Sequence, residues 1–259
     1  THFSAALTIL NSDLTQGSAV HKVVFVDRAG NRGVSVDATT DATQVTVDFT
    51  TPTLSQVSIT SSNAADSTKA NIGDTITVSI TASEAITTPT VKIAAQDSDS
   101  VTAVAGTNGR SFVGALTLTS SFGGSEGTCS VAVTFQDLAS NAGVTQNGVI
   151  GSSVVTIDLT PPTLPAVTIV SSNAAATARA NAGDTITLSI VASERIMTPA
   201  VKIAGNAAAV SGSNANYTAV YTIANAALVG EGTVGLSISF QDRASTVGVT
   251  QTQVTDTSF

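Results

Sequence analysis

Hydrophobic and polar residues alternate along most of the chain. Between positions 75 and 82 every second side chain is apolar: Ile76, Val78, Ile80 and Ala82. The same order returns near position 188 with Ile186, Leu188 and Ile190. A period of two is typical of strands that are buried on one side only. The pattern predicts an all-β chain, since no segment has the period of an amphipathic helix.

The alternating segments of the middle part are separated by turns rich in Gly, Asn and Ser. Lettered A to G, the predicted strands lie at 54–61, 74–82, 89–95, 100–106, 111–119, 128–136 and within 143–158. On strand F the expected core positions are Cys129, Val131, Val133 and Phe135, which correspond to Val234, Leu236, Ile238 and Phe240 later in the chain. Short half-buried strands at this spacing predict a β-sandwich.

An internal repeat organises the chain. Asp137 lies 110 residues after Asp27, and Asp242 lies a further 105 residues on. The larger offset also relates other landmark pairs: Asp48 and Asp158, Glu84 and Glu194, Pro89 and Pro199, Lys92 and Lys202. We predict a final part of one repeat at 1–48, a complete repeat at 49–158 and a nearly complete repeat at 159–259. This phase suggests an excerpt from a longer array, and a strand-donating end is the less favoured alternative.

Composition narrows the possible partners. Lys and Arg number 10 against 18 Asp and Glu, which gives a net charge of -8. Such a balance repels phosphate backbones, so nucleic acid is not expected as a partner. No run of 18 apolar residues crosses the sequence, so no membrane span is predicted in this segment. The single cysteine, Cys129, excludes a disulfide within the chain and is expected to be a buried apolar residue.

Catalytic motifs are not found. The histidines, His2 and His21, both fall in the leading partial repeat and have no counterparts in the full repeats. Cys129 lies at a predicted core position that is Val234 in the next copy. No P-loop or dinucleotide fingerprint is present. The sequence therefore predicts that the chain is not an enzyme.

The hairpins VDRAGN and QDLASN, each followed by a strand and Asp-x-Thr-x-Pro, resemble bacterial immunoglobulin-like repeats of large surface adhesins. Related cadherin-like repeats share the architecture. The resemblance covers essentially the whole chain and implies tandem immunoglobulin-like β-sandwich domains in a linear array. The last copy departs from the motif, with Ser245-Thr246 where Gly-Asn is expected.

The hairpin chemistry fits a tight turn. Gly30 and Asn31 tolerate the positive-φ conformations that other residues avoid, and an Asp at the start can accept hydrogen bonds from the turn amides. A structural reading of Asp27, Asp137 and Asp242 is therefore a turn brace. The Thr-Pro segments between repeats restrict the backbone and are expected to stiffen the junctions.

A second interpretation of the same acids is metal binding. In a sandwich, the linker before strand A, the BC loop and the FG loop meet at one end of a domain. We therefore expect Asp48, Glu84 and Asp137, with Asn141 near, to gather at one junction. The second predicted set is Asp158, Glu194 and Asp242, where Thr246 in place of Asn weighs against a site. Crowded carboxylates suit a hard cation, and the resemblance implies calcium at the domain junctions.

These observations predict a structural stalk or fibre segment of a large extracellular or cell-surface protein that supports adhesion or display. The expected partners are neighbouring repeats of the same long chain or fibre, with a surface receptor or glycan as a further possibility. The alternative is a carbohydrate- or protein-binding accessory module. Sugar platforms are usually exposed aromatics, and the chain has no Trp. The aromatics considered are Phe112, Phe122, Phe135, Tyr217 and Phe240, of which only Phe122 is expected in a loop.

One modification motif is present. Asn216-Tyr217-Thr218 matches the Asn-x-Ser/Thr acceptor for N-glycosylation, at the start of the second strand E. A chance match is the competing interpretation.

Overall fold

The computed structural model describes residues 2–9, 15–224 and 232–255. Within these ranges the regular structure is entirely β, and no helix is long and apolar enough to cross a membrane. The leading segment contributes the pair β1 (Gly17–Ser18) and β2 (Thr46–Val47), which are antiparallel. Most of its described side chains are exposed.

The first full unit contains eleven strands. They are β3 (Leu54–Ser61), β4 (Lys69–Ala70), β5 (Thr75–Ala82), β6 (Thr90–Ile93), β7 (Gln96–Asp97), β8 (Ser100–Ala103), β9 (Ser111–Thr117), β10 (Gly127–Thr128), β11 (Val131–Thr134), β12 (Gln146–Asn147) and β13 (Thr156–Ile157). The predicted strands A to G all coincide with one or two of these. Where a predicted strand is split, as F is into β10 and β11, a short irregular segment interrupts the ladder.

Two four-stranded sheets form the sandwich of the first full unit. One has the order β3-β5-β9-β8 and the other β12-β11-β6-β7. These are the orders A-B-E-D and G-F-C-C′ of an immunoglobulin-type sandwich. The end of the unit, β13, pairs parallel with β4 and antiparallel with β10, so the chain leaves the unit beside its AB loop.

The second full unit repeats this arrangement. Its strands are β14 (Ala166–Ser171), β15 (Thr185–Val191), β16 (Ala200–Ile203), β17 (Asn206–Ala207), β18 (Ala209–Ser213), β19 (Asn216–Thr222) and β20 (Leu236–Ser239). The sheets are β14-β15-β19-β18 and β17-β16-β20. The chain is thus a tandem of immunoglobulin-like β-sandwiches.

Each full unit has a hydrophobic core of its own. The alternating apolar positions predicted from the sequence face inward in β5, β11 and β15. Ile76, Val78, Ile80, Leu188 and Ile190 are almost completely buried. The prediction for Cys129 is confirmed, because it lies buried in the first core. Burial of apolar area on one side of each strand is what holds the sheets together.

Candidate cation sites at the two joints

Two groups of three carboxylates lie at the ends of the full units. The first joint contains Asp48, Glu84 and Asp137; the second joint contains Asp158, Glu194 and Asp242. Within each group, carboxylate oxygens from all three residues lie within 4.8 Å of one another. The sequence analysis predicted both groups from the topology of a sandwich, and the structure brings the three residues of each group together. That the groups bind calcium stays a prediction.

Backbone pairing between the BC loop and the FG hairpin fixes each group. In the first full unit Ile86 bridges Asp137, and the amide of Thr87 donates to the carbonyl of Gln136 at 2.9 Å. In the second, Ile196 bridges Asp242, and the Met197 amide donates to the Gln241 carbonyl at 2.9 Å. Ile86 and Ile196 are buried and anchor the loops. The glutamates at 84 and 194 are therefore held beside the hairpin aspartates.

The hairpin aspartates brace their turns. Asp137 Oδ1 accepts hydrogen bonds from the amides of Ala139 and Asn141, both at 2.8 Å. Asp27 Oδ1 does the same in the leading segment. The positive φ predicted for the turn is found at Gly30, Ser140 and Ser245, with values of 85°, 71° and 68°. Asn31, which would tolerate a positive φ, does not adopt one; its side-chain amide donates a hydrogen bond to Asp27 Oδ2.

A glycine that the sequence analysis did not single out closes each hairpin. A Cβ on Gly143 would lie 2.2 Å from the ring of Phe135, and a Cβ on Gly248 would lie 2.2 Å from the ring of Phe240. The leading segment repeats the pair with Gly33 and Phe25. The recurrence of these glycines at the repeat offsets was the signal that could have revealed them.

At the first joint, Asn141 closes the polar network. Its Nδ2 donates to Asp137 Oδ2 at 2.7 Å and to the backbone carbonyl of Asp48 at 3.0 Å. Asp137 is only 1% exposed, yet both of its oxygens have donors. Burial opposes its ionisation, but the hydrogen bonds from Asn141 and Ala139 outweigh burial and lower the pKa of Asp137 below its ordinary value.

At the second joint, Thr246 replaces the asparagine and cannot make both contacts. A hydroxyl has one donor hydrogen whereas a carboxamide has two. The Thr246 Oγ1 donates to the backbone carbonyl of Asp158 at 3.3 Å, and the Thr246 amide donates to Asp242 Oδ1 at 2.8 Å. Asp242 Oδ2 is left buried without a hydrogen-bond partner among the described residues.

One further carboxylate lies beside the linker of the second joint. Glu126 accepts hydrogen bonds from the Leu159 amide at 2.6 Å and from the Thr160 hydroxyl. Gln16 holds the corresponding place at the first joint, where its side chain bonds the Thr50 hydroxyl. A neutral amide is therefore replaced by a carboxylate in the second copy.

At the second joint the pKa values of Asp242 and Glu194 are raised, whereas the pKa of Asp137 at the first joint is lowered. Burial raises the pKa of Asp242, and the neighbouring charge of Asp158 adds to the effect. Burial also raises the pKa of Glu194, reinforced by the charges of Asp158 and Asp242 and opposed by Lys69. Both pKa values are raised because partial burial and neighbouring negative charges make the ionised form of these carboxyl groups less favourable.

Direct contacts join the two full units. The Asn63 side chain, in the AB loop of the first, is 5% exposed and donates from Nδ2 to the carbonyl of Ala244 at 2.7 Å. Arg243 forms a salt bridge to Asp66 at 3.0 Å. Beside these contacts lies a cavity of about 400 Å³, whose walls include Lys69, Asp158, Glu194, Arg195 and Arg243. The two full units therefore contact each other directly at the second joint, beside a cavity that has space for solvent. The sequence analysis missed Asn63 and Asp66, because only the packing of one unit on the next reveals their role.

The other residues singled out from the sequence lie apart from the joints. His2 and His21 are exposed in the leading segment. Phe112, Phe135, Tyr217 and Phe240 are buried as predicted, and Phe122 is half-buried against the first core. Asn216 is exposed as the first residue of β19.

Comparisons with known proteins add the following. No protein-family model matches the chain, and no curated protein matches it. Among solved structures, an I-band fragment of titin is 9% identical with a TM-score of 0.40, over 80% of this chain and 64% of that one. The chain thus spans slightly less than two thirds of the titin fragment.

Two further structures are similar at the same low level. Fibronectin(III)-like modules of CbhA from Clostridium thermocellum are 12% identical with a TM-score of 0.34, over 75% of this chain and 90% of that one. BcpA, the major pilin subunit of Bacillus cereus, is 12% identical with a TM-score of 0.19, over 75% of this chain and 77% of that one. The strand orders and the separate cores of the chain itself identify it as a tandem of immunoglobulin-like β-sandwich domains.

Proposed function

We propose that the chain is a segment of a structural stalk or fibre, part of a large extracellular surface protein that supports adhesion or display. Its partners are the neighbouring repeats of the same chain or fibre. Cadherin-like and adhesin repeats, which the hairpin motifs resemble, are the model for this role.

The observation that carries the proposal is the contact between the full units. A nearly buried Asn63 hydrogen-bonds the hairpin carbonyl of Ala244 at 2.7 Å, and the Arg243–Asp66 salt bridge lies beside it. A desolvated side-chain hydrogen bond of this kind fixes geometry, because leaving either partner unpaired is costly. A chain of domains joined in this way keeps its direction from one repeat to the next.

The binding-module alternative has less support. The aromatic residues Phe112, Phe135, Tyr217 and Phe240 are core residues, so they offer no stacking platform for a sugar. A glycan or receptor would therefore have to be held by polar side chains. The stalk therefore remains the favoured function.

We also carry the predicted calcium sites forward as part of this function. Three carboxylates at a joint would take a cation together with backbone carbonyls and water, and a bound ion would stiffen the connection between repeats; which of the two joints meets these conditions depends on their hydrogen bonds. Affinity on the order of 10⁻⁴–10⁻³ M is expected, as in other extracellular modules.

Small-angle X-ray scattering of the whole chain tests the stalk proposal. We expect an elongated particle, with a skewed distance distribution whose maximum spans both full units end to end. The double variant Asn63→Ala, Asp66→Ala should broaden this distribution by loosening the joint, whereas Asp97→Ala, an exposed change away from the joints, should not. A compact particle with the two units side by side would contradict the proposal.

A modification is proposed at Asn216. The side chain is exposed at the start of β19 and within reach of an N-glycosylation enzyme before folding is complete. A glycopeptide search on native material tests the site, and an unmodified Asn216 in material from a eukaryotic secretory pathway would reject it.

A further inference from the structure

The two joints have the same types of acidic residue but differ in the hydrogen bonds that their hairpin aspartates accept. Asp137 and Asp242 are each 1% exposed and occupy corresponding places. Asp137 Oδ2 accepts a hydrogen bond from Asn141, whereas Asp242 Oδ2 has no partner among the described residues. An unpaired, buried carboxylate oxygen is costly, since neither water nor a donor compensates the loss of hydration. A bound cation would lower this cost directly, since it would coordinate the unpaired oxygen.

We propose that the second joint alone is a divalent-cation site, in which Asp158, Glu194 and Asp242 bind calcium, while the Asn141 amide takes the place of the ion at the first joint. This inference rests on the proposed function in treating the joints as connections within an array. It changes the prediction from the sequence, which gave both joints calcium and counted Thr246 against the second.

The geometry of the second joint suits calcium. Calcium–oxygen distances of about 2.3–2.6 Å allow two ligand oxygens of one ion to lie up to roughly 5 Å apart. The three carboxylates of this joint offer oxygens within 4.8 Å of one another. Calcium takes about 6–8 oxygen ligands, and the adjoining cavity of about 400 Å³ has room for the waters that complete the shell.

Cationic side chains lie near this group without forming a salt bridge to its three carboxylates. Arg243 is engaged with Asp66. Lys69 and Arg195 line the same cavity, but the salt bridges among the described residues are only Arg243–Asp66 and Lys92–Asp97. Glu126, in place of Gln16, adds a further negative charge nearby. Among the described residues the three carboxylates of this joint therefore have no salt-bridge partner.

The first joint lacks this demand. The Asn141 carboxamide uses both of its hydrogens, one on Asp137 Oδ2 and one on the Asp48 carbonyl. A cation entering there would compete with a hydrogen bond to a charged carboxylate, worth about 1.5–3 kcal/mol, and losing this bond would cost roughly ten- to a hundredfold in affinity. Calcium binding at the first joint is weakened by that factor.

Reciprocal exchange of the deciding side chains tests the inference. Calcium chloride is titrated into the whole chain and into the variants Thr246→Asn, Thr246→Ser and Asn141→Thr, with magnesium chloride as a parallel control. Isothermal titration calorimetry gives stoichiometry and affinity, and the melting temperature at each calcium concentration gives an independent affinity through linkage. Small-angle scattering is recorded on the same samples.

We expect one calcium ion per wild-type chain in the range expected for extracellular modules. Thr246→Asn should weaken this binding about tenfold or more, since its amide can cap Asp242 as Asn141 caps Asp137. Thr246→Ser keeps a single donor and should bind as wild type. Asn141→Thr should raise the stoichiometry towards two, and a calcium-dependent gain in its melting temperature would show this even if the variant is less stable.

Three outcomes would contradict a calcium site at the second joint alone. Two equal sites in wild type, or binding that Thr246→Asn leaves unchanged, would show that the hairpin side chain does not decide. No binding up to ten millimolar, roughly tenfold above the expected range, would mean that Lys69 or Arg195 neutralises the acids instead. In that case a scattering profile of an elongated particle would still support the stalk proposal. A compact particle would contradict both the stalk proposal and the calcium site.

Discussion

The two joints of this chain share a backbone design and differ mainly in one hairpin side chain. Asn141 at the first joint supplies two donor hydrogens, and Thr246 at the second supplies one from its side chain. The loss of one hydrogen bond leaves Asp242 Oδ2 unpartnered, and the pKa shifts of Asp137 and Asp242 have opposite signs. An acidic cluster therefore stabilises a turn where protein donors pair with its carboxylate oxygens, and is a candidate cation site where one of these oxygens has no donor.

The largest expected effect separates the two aspartates. In calcium-free buffer, Asp137→Ala removes the acceptor for two backbone amides and for Asn141 and should lower the free energy of unfolding by about 3 kcal/mol. Asp242→Ala removes the unpaired Oδ2 together with Oδ1, which accepts a hydrogen bond from the Thr246 amide, and should cost less than half as much. Urea unfolding monitored by amide hydrogen exchange in each core measures both. Equal losses would contradict the distinction between the joints.

The next effect should appear in both units and be larger at Gly248, where a Cβ would also lie 2.8 Å from the backbone carbonyl of Pro162. Gly143→Ala and Gly248→Ala force a Cβ against Phe135 and Phe240, and each should destabilise its unit by about 1–3 kcal/mol. Gly123→Ala is the matched control, since a Cβ there meets nothing within 4 Å. Thermal unfolding of the three variants checks the prediction. A neutral Gly143→Ala would show that the ring yields without cost.

A smaller gain is expected at the left-handed turn position. Ser140 and Ser245 have φ values of 71° and 68°, which glycine adopts without strain. Ser140→Gly and Ser245→Gly should each raise the free energy of unfolding by a few tenths of a kcal/mol, up to about 1 kcal/mol. Denaturant midpoints measure the gain. Loss of stability in either variant would show that the serine side chains stabilise the turns.

The smallest effect concerns pH in calcium-free buffer. The raised pKa values of Asp242 and Glu194 mean that the folded second unit binds protons more readily than the unfolded chain. Stability from this source is complete below the ordinary values of 3.8 and 4.5 and is lost as the pH rises through the folded values. The lowered pKa of Asp137 acts oppositely: its contribution is complete above 3.8 and is lost below it.

Lowering the pH from neutrality towards 4.5 should therefore stabilise the second unit relative to the first. Hydrogen exchange of each core, corrected for the intrinsic pH dependence of exchange, measures the difference. Parallel changes in both units would contradict it.

Much of the fold could be predicted from the sequence because local patterns encode it. Alternation at Ile76, Val78 and Ile80 determines which face is buried, and the repeat offset transfers each assignment to the next copy. The gathering of Asp48, Glu84 and Asp137 followed from topology alone, since the loops that carry them end at the same pole of a sandwich.

The properties of the second joint could not be predicted in this way. Whether Asp242 Oδ2 has a donor depends on where Thr246 Oγ1 points, and its hydrogen is directed to the Asp158 carbonyl. The contact between Asn63 and Ala244 joins residues 181 positions apart and depends on how one unit packs against the next. Both features depend on distances of a few tenths of an ångström between side chains, which a repeat pattern does not specify.

Anomalous diffraction from crystals of the wild-type chain, grown with strontium in place of calcium, would locate a bound cation at either joint. We expect a single strong peak among the carboxylates of Asp158, Glu194 and Asp242, within bonding distance of Asp242 Oδ2. No comparable peak is expected at Asp48, Glu84 and Asp137, where the Asn141 amide should keep its two hydrogen bonds. Peaks of equal height at both joints, or a peak at the first joint alone, would show that the hairpin side chain does not decide where the cation binds.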